Sequence, residues 1–268
     1  GSLKAAAQEM SLTQSAISKT IKDLESILGV VLLERSRGGD ALTPEGALFR
    51  QFAEQGLAAV RHGLASLETL TTGQETPVRL GALPSVAAHV LPKAVERFLS
   101  VAPTVPVTVI DGPVAALLAR LKASELDLVS GRAGGTEDMR GLSFTPLYAE
   151  KVVFVAAPGH ALANVSDPRA LGEALILPPP PHAAIRPFVS AFLRSKGIAP
   201  WPRRLETVSG PFGKAMALGS EQAIWIISHG VVSRDLSAGT LIALPIDTSA
   251  MTGPVGIMAR SEADPTPM

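Results

Sequence analysis

Ser11-Leu12-Thr13-Gln14-Ser15-Ala16-Ile17-Ser18-Lys19-Thr20-Ile21-Lys22-Asp23-Leu24-Glu25 is the run on which the fold turns. Thr13 is a good N-cap, its hydroxyl placed to accept an orphan backbone N–H. Ile17, Ile21, Leu24 and Leu28 recur at helical spacing and are expected to face inward. Gln14, Ser15, Ser18, Lys19 and Lys22 share the opposite face. Side chains of these kinds read base edges and grip phosphates, although a polar helix face is by default merely solvated. Upstream, Ser2 can cap a short helix carrying Leu3, Ala6, Ala7 and Met10, and Ser11-Leu12 turns the chain. The two segments read as a helix-turn-helix.

Downstream, Leu32-Leu33-Glu34-Arg35-Ser36-Arg37-Gly38-Gly39-Asp40-Ala41-Leu42 reads as two short strands around a Gly-Gly tip. This is a β-wing, with Arg35 and Arg37 where it would meet a sugar-phosphate backbone. Thr43-Pro44-Glu45 opens a new helix with a cap, a first-turn proline and an acid near the positive end of the dipole. Here the chain resembles the LysR-type transcriptional regulators. The resemblance rests on the run quoted above, on Leu28-Gly29-Val30-Val31-Leu32-Leu33-Glu34-Arg35 and on Leu42-Thr43-Pro44-Glu45-Gly46. It covers essentially the whole chain and weakens in the second half. It implies base contacts from Gln14 and Ser18, with Lys19 and Arg35 near phosphates and Thr43 capping the linker helix at the backbone. Thr13, Ser15, Lys22 and Arg37 complete the candidate interface with double-stranded DNA. The family carries a further helix before Ser2 and a last one after Met268, so both ends are read as truncated.

Charge cuts against a simple DNA-binding reading. Up to Arg50 the basic residues Lys4, Lys19, Lys22, Arg35, Arg37 and Arg50 are balanced by Glu9, Asp23, Glu25, Glu34, Asp40 and Glu45. A basic domain is the usual footprint of nucleic-acid binding. Distribution answers part of the objection, since Lys19, Lys22, Arg35 and Arg37 fall on the exposed helix face and the wing. Few phosphate contacts per subunit predict weak binding by a monomer and a need for dimerisation. From Pro44 to about Leu70 no proline interrupts, and Leu57, Val60, Leu64 and Leu67 are spaced three, four and three, a coiled-coil seam. A helix packed on its own domain is the plainer alternative. The chain is divided accordingly into a winged helix-turn-helix over 1–43, a linker and dimerisation helix over 44–72, and a hinge over 73–77.

From Val78 the pattern becomes alternating strands and helices, an α/β domain with a largely parallel sheet. Strands are expected at 78–83, 105–110, 126–130, 152–157, 205–208, 223–227 and 240–244. Helices are expected at 85–99, 114–123, 183–195, 212–218 and 229–236. Gly256-Ile257-Met258-Ala259-Arg260 is read as a strand crossing back to the first half. The family resemblance implies a periplasmic-binding-protein-like effector domain over 78–268, built of two Rossmann-like subdomains, 78–149 plus 245–268 and 150–244. Ligands in such sheets sit beyond the C-terminal strand ends, where helix N-termini point and favour anions. Two loops fit: Leu83-Pro84-Ser85, with Val86 behind it, and Ser209-Gly210-Pro211-Phe212-Gly213. Ser85 and Ser209 read equally well as plain helix caps, a role compatible with anion binding. Arg132 and His182 are added as candidate effector contacts. For Arg132 and for Arg186, which follows the run Pro178-Pro179-Pro180-Pro181, a surface ion pair is the plainer reading.

The Ser209–Gly213 run, Leu80-Gly81-Ala82-Leu83-Pro84-Ser85-Val86 and Ala223-Ile224-Trp225-Ile226-Ile227-Ser228-His229-Gly230-Val231-Val232 narrow the resemblance. They are similar to the subgroup holding regulators of protocatechuate catabolism and the galactose-binding-protein regulators. A small carboxylate effector is expected. The resemblance further implies a homodimer, assembled into a tetramer of two dimers, a cytoplasmic location and RNA polymerase as a partner. There is no cysteine, and His62, His89, His160, His182 and His229 are scattered without a metal-ligand or nucleophile spacing. No cofactor, metal or catalytic group is expected, and no segment reads as membrane-spanning. The competing function is a solute-binding or transport-associated protein using the same cleft. A dimer that has lost DNA binding is a third.

Overall fold

The computed structural model describes residues 3–36, 39–72, 75–220 and 222–261, and the chain divides into two units, 1–64 and 65–268. In the first unit, α1 (Leu3–Glu9) packs on α2 (Gln14–Leu28). The Thr13 hydroxyl accepts the Ala16 N–H at 3.2 Å, and α2 stops where Gly29 enters the left-handed region at φ 70°. Ile17, Ile21 and Leu24 are half-buried, whereas Leu28 is 39% exposed, against the inward expectation.

The wing is β1 (Leu33–Ser36) against β2 (Gly39–Leu42), antiparallel, with Leu33 opposite Leu42 and Ser36 opposite Gly39. Of the expected Gly38-Gly39 tip, Gly39 begins β2; Arg37, Gly38 and the Arg35 side chain lie outside the described residues. Glu25 ties α2 to the wing, its Oε1 accepting the N–H groups of Leu32 at 2.7 Å and Leu33 at 3.1 Å. Then α3 (Pro44–Thr72) carries one apolar stripe along its length. Gly46, Phe49 and Ala53 are buried or half-buried in their own unit. The stripe continues through Leu57, Val60, Leu64 and Leu67, each 58–61% exposed.

The second unit is built on one eight-stranded sheet. Its first half holds β3 (Val78–Ala82), α4 (Pro84–Ala88), α5 (Leu91–Val101), β4 (Val107–Asp111), α6 (Val114–Lys122) and β5 (Leu128–Gly131). The long β6 (Leu142–Ala156) leads into β7 (Leu175–Leu177), α7 (Arg186–Ser195), α8 (Gly210–Gly219), β8 (Ala223–Ser228), α9 (His229–Ser237) and β9 (Ile242–Ala243). β10 (Thr252–Arg260) returns along β6 and β5. The order is β4-β3-β5-β10-β6-β8-β7, with β9 on β6. β3 is parallel to both β4 and β5, and β7 to β8. The antiparallel β6 and β10 run from one half to the other, and each half has its own core. One gathers Leu117, Leu118, Leu121, Leu126 and Met258; the other gathers Phe154, Ile176, Phe192, Trp225 and Met251.

Five expectations change. The sheet is mixed and not largely parallel, because β10 and β6 pair antiparallel with each other and with β5, β8 and β9. The helix at 85–99 is two, α4 and α5, broken at His89-Val90 just ahead of Pro92, which has no N–H to give the Ala88 carbonyl and whose ring crowds it. The strand at 205–208 is absent: Leu205 N–H reaches Ile176 O at 3.0 Å, but only Arg204 bridges β7, and β7 itself was not foreseen. The strand at 240–244 shrinks to β9. Ile246 and Met251 pack in the second core, so the return to the first half begins within β10 and not at residue 245.

Candidate ligand cleft and nucleic-acid face

On α2 the side chains of Gln14, Ser15, Lys19 and Lys22 are exposed, Ser18 is half-buried beside them, and Thr13 is exposed while its hydroxyl caps the helix. Thr43 caps α3, as expected. It is 9% exposed, and its hydroxyl donates to Val31 O at 2.6 Å while accepting the Gly46 N–H at 2.9 Å. With both roles taken, Thr43 anchors α3 to the root of the wing.

In the α/β unit the parallel strands bring Ala82, Asp111 and Ser130 level at one edge of the sheet. Beyond that edge lies a cavity of about 280 Å³, closed on the other side by the second half. Pro84, Ser85, Arg132, His182 and Ser209 line it, as expected from sequence. Ser209 caps α8, its hydroxyl accepting the Phe212 N–H at 3.4 Å. A second lobe of about 510 Å³ shares Pro84, Asp111, Val208, Ser209 and Val231 with the first; Gly210 lines only this lobe. Lys214 stands there, held by Asp235 at 2.5 Å.

Arg132 is not the surface group that was the plainer reading. It is 3% exposed, with its guanidinium 4.9 Å over the Phe188 ring. Its Nη2 donates to Glu150 O at 2.6 Å and lies 3.8 Å from Glu150 Oε2. Gly253 makes the arrangement possible, because a Cβ there would meet Arg132 Nη1 at 2.5 Å and Phe188 Cζ at 2.6 Å. Burial lowers the Arg132 pKa, opposed by the Glu150 and then the Tyr148 charge. An arginine so placed stays cationic. The Tyr148 hydroxyl is pushed up to about 12, by burial first and by the Glu150 charge second. Arg132 Nε and Nη1 have no hydrogen-bond partner among the described residues. Two buried donors left without a partner are uncommon and costly.

Glu150 escaped the sequence reading because the expected strand began at Val152, two residues beyond it. It is 5% exposed, and its Oε1 accepts the Gly230 N–H at 3.1 Å in the first turn of α9. It therefore joins Arg132 of the first half to α9 of the second. Ser233 Oγ and His89 Nδ1, 2.9 Å apart, make another such tie. Asp111, Gly112 and Ser228 also line the cavity unforeseen, although the strand-end rule that found Ser85 applies to them equally.

Three candidates lie elsewhere. Val86 is 2% exposed and lines neither lobe. Phe212 is 44% exposed and also lines neither, since the cap at Ser209 turns it outward. Gly213 is packed on the Trp225 indole, where a Cβ would collide with the ring; its role is packing. Arg186 pins the connector instead, donating to Pro179 O at 2.6 Å and to Glu206 Oε1 at 3.0 Å.

Two families cover this architecture. Residues 1–47 match the bacterial regulatory helix-turn-helix proteins of the lysR family, and residues 71–268 match the LysR substrate binding domain. The chain belongs to the LysR family of transcriptional regulators. Among the regulator's relatives is the HTH-type transcriptional regulator PcaQ of Agrobacterium fabrum, 40% identical over 97% of this chain and 84% of its own. It falls in the subgroup to which the Ser209–Gly213 and Ala223–Val232 runs pointed. YdcI of Escherichia coli, an uncharacterized HTH-type transcriptional regulator, is 33% identical over 98% of this chain and 86% of its own. The fold is shared with CbnR, a LysR family transcriptional regulator solved in complex with its target DNA. TM-score is 0.58 at 20% identity, covering 98% of this chain and 89% of that one. The match over residues 1–47 overturns the reading as a solute-binding protein, which leaves that segment without a purpose.

Proposed function

We propose that the regulator binds a two-fold DNA operator as a dimer and that a small carboxylate held in the cleft sets how it does so. The observation that carries the ligand reading is Arg132, a cation only 3% exposed on the cavity wall, with two donors unengaged. Because Glu150 links that arginine to α9, a guest on Arg132 alters the contact between the two halves of the domain. A ligand shifts such an equilibrium only by binding its two states unequally. Gln14 and Ser18 read bases, while Thr13, Ser15, Lys19, Lys22, Arg35 and Arg37 meet the backbone. The exposed stripe Leu57, Val60, Leu64 and Leu67 pairs with a second copy, two dimers forming a tetramer that engages RNA polymerase. The protein works in the cytoplasm, without a cofactor and without catalysis. Among the described residues no helix is long and apolar enough to cross a membrane.

The test is titration of the full chain onto its own upstream intergenic DNA with excess random competitor. Competitor-resistant binding whose affinity or protection pattern responds to carboxylates, and ceases to respond in Arg132→Met, supports the proposal. Competitor-resistant binding that no carboxylate alters sinks the ligand half of it.

A further inference from the structure

Three serines stand on the wall of the cavity of about 280 Å³, and they are not equivalent. Ser209 uses its hydroxyl to cap α8. Ser85 is 6% exposed and Ser228 is 5% exposed, yet neither hydroxyl has a hydrogen-bond partner among the described residues. Both hydroxyls keep open surface, unlike the sealed Nε and Nη1 of Arg132. Buried hydroxyls are ordinarily hydrogen-bonded, so two left open on one cavity wall point to a guest.

Their position says what kind of guest. Ser228 is the N-cap residue of the nine-residue α9, but its side chain makes no cap bond, whereas Ser209 at the same place on α8 does. The Ser228 hydroxyl is thereby left for the cavity, at the positive end of a helix dipole. Ser85 comes from the other half and lies on the same turn: a Cβ at Gly230 would meet the Ser85 carbonyl oxygen at 2.8 Å and Ser85 Cβ at 3.2 Å. One N–H of that turn, from Gly230, is already taken by Glu150 at 3.1 Å, and Arg132 answers the Glu150 charge from behind the wall. With those two charges set against each other, the cavity meets two hydroxyl donors and the start of a helix, which together favour an anion.

We infer that Ser228 and Ser85, one from each half, form the seat of the carboxylate at the N-terminus of α9. The seat rests on the carboxylate reading above and gives it direct contacts, with Arg132 acting by its charge alone. A guest held by both hydroxyls binds tightest with the halves together, and this supplies the unequal affinity for two arrangements that regulation requires.

The probes are benzoate and benzamide, which share a shape and differ in charge. Calorimetric titration of the full chain is expected to rank benzoate above benzamide. Loss of one hydrogen bond to a charged group corresponds to at least about a tenfold loss of affinity. Ser228→Ala and Ser85→Ala are each expected to lower benzoate binding by that factor and to change benzamide binding much less. Because its hydroxyl caps nothing, Ser228→Ala is also expected to keep the wild-type melting temperature without ligand, a result that a helix-capping serine does not give. If both serine variants bind benzoate as wild type does, the hydroxyls are met by water and the seat falls, while the carboxylate reading stands or falls with Arg132→Met. Loss in one serine variant alone overturns the two-sided seat. If wild type binds no benzoate, or binds benzamide as tightly, the carboxylate reading falls and the seat with it.

Discussion

Replacing Glu150 by glutamine removes the negative charge opposite Arg132 while keeping shape and one acceptor. The introduced amide oxygen can still take the Gly230 N–H, and the 2.6 Å bond from Arg132 Nη2 to the carbonyl at this position is a backbone contact that survives. What is lost is neutralisation of a guanidinium only 3% exposed. Stranding one member of a buried pair costs about 3–5 kcal/mol. The 3.8 Å separation and the surviving bonds put Glu150→Gln at the lower end, about 3 kcal/mol. For a domain of this size each kcal/mol moves the melting temperature about 2–4 °C, so a fall of about 6–12 °C is expected. Two further results separate charge from packing. In Arg132→Met/Glu150→Gln the stranded charge is gone, and the double variant is more stable than the sum of the singles by at least about 1 kcal/mol. Benzoate, which supplies a replacement anion, raises the melting temperature of Glu150→Gln more than that of wild type. Scanning calorimetry with and without benzoate reads all of this. A Glu150→Gln protein that melts with wild type, or an additive double variant, refutes the assignment of this pair as the charge centre of the cleft.

Burial, and then the Lys151 charge, hold the His229 imidazole below its ordinary 6.5, so the unfolded chain takes up that proton first as pH falls. Its contribution is complete above pH 6.5 and is lost as pH falls through the lower folded value; wild type should therefore lose more melting temperature on acidification than His229→Gln does. Gln14→Ala should cost operator binding about 1–3 kcal/mol and relax base preference, measured by anisotropy, whereas Lys19→Ala should weaken all sequences alike and reduce the salt slope by about 1. Leu64→Glu places a charge in the exposed stripe, and if that stripe pairs two copies light scattering should show a smaller mass than for wild type. Glu25→Ala frees the N–H groups of Leu32 and Leu33, and their hydrogen exchange should accelerate before that of α2.

The parts legible in the sequence were those governed by local rules. Thr13 and Ser209 as caps and the Leu83-Pro84-Ser85 strand-to-helix loop follow from side-chain chemistry and spacing within a few residues, although Ser85 lies inside α4, whose N-terminus no side chain caps. What stayed hidden was set by partners far along the chain. Glu150 matters because Arg132 lies 18 residues before it and Gly230 80 residues after it, and an alternating strand pattern encodes neither distance. Phe212 and Gly213 went astray for a related reason. Gly213 lies against Trp225, which the local run does not contain, and the loop pattern alone does not tell that Phe212 leaves the cap outward. The extent of β6 was missed because its first half, Leu142 to Ala149, is largely exposed and lacks the apolar run that marks 152–156.

Whether an anion on Arg132 changes how the dimer sits on DNA is tested most directly by footprinting the upstream intergenic region with wild type and Arg132→Met, each with and without para-hydroxybenzoate. The expected result is a two-fold protected site for both proteins, with a change in protection or bending on adding the acid for wild type alone. A site that changes identically in both proteins, or protection that spreads equally over all DNA, contradicts it.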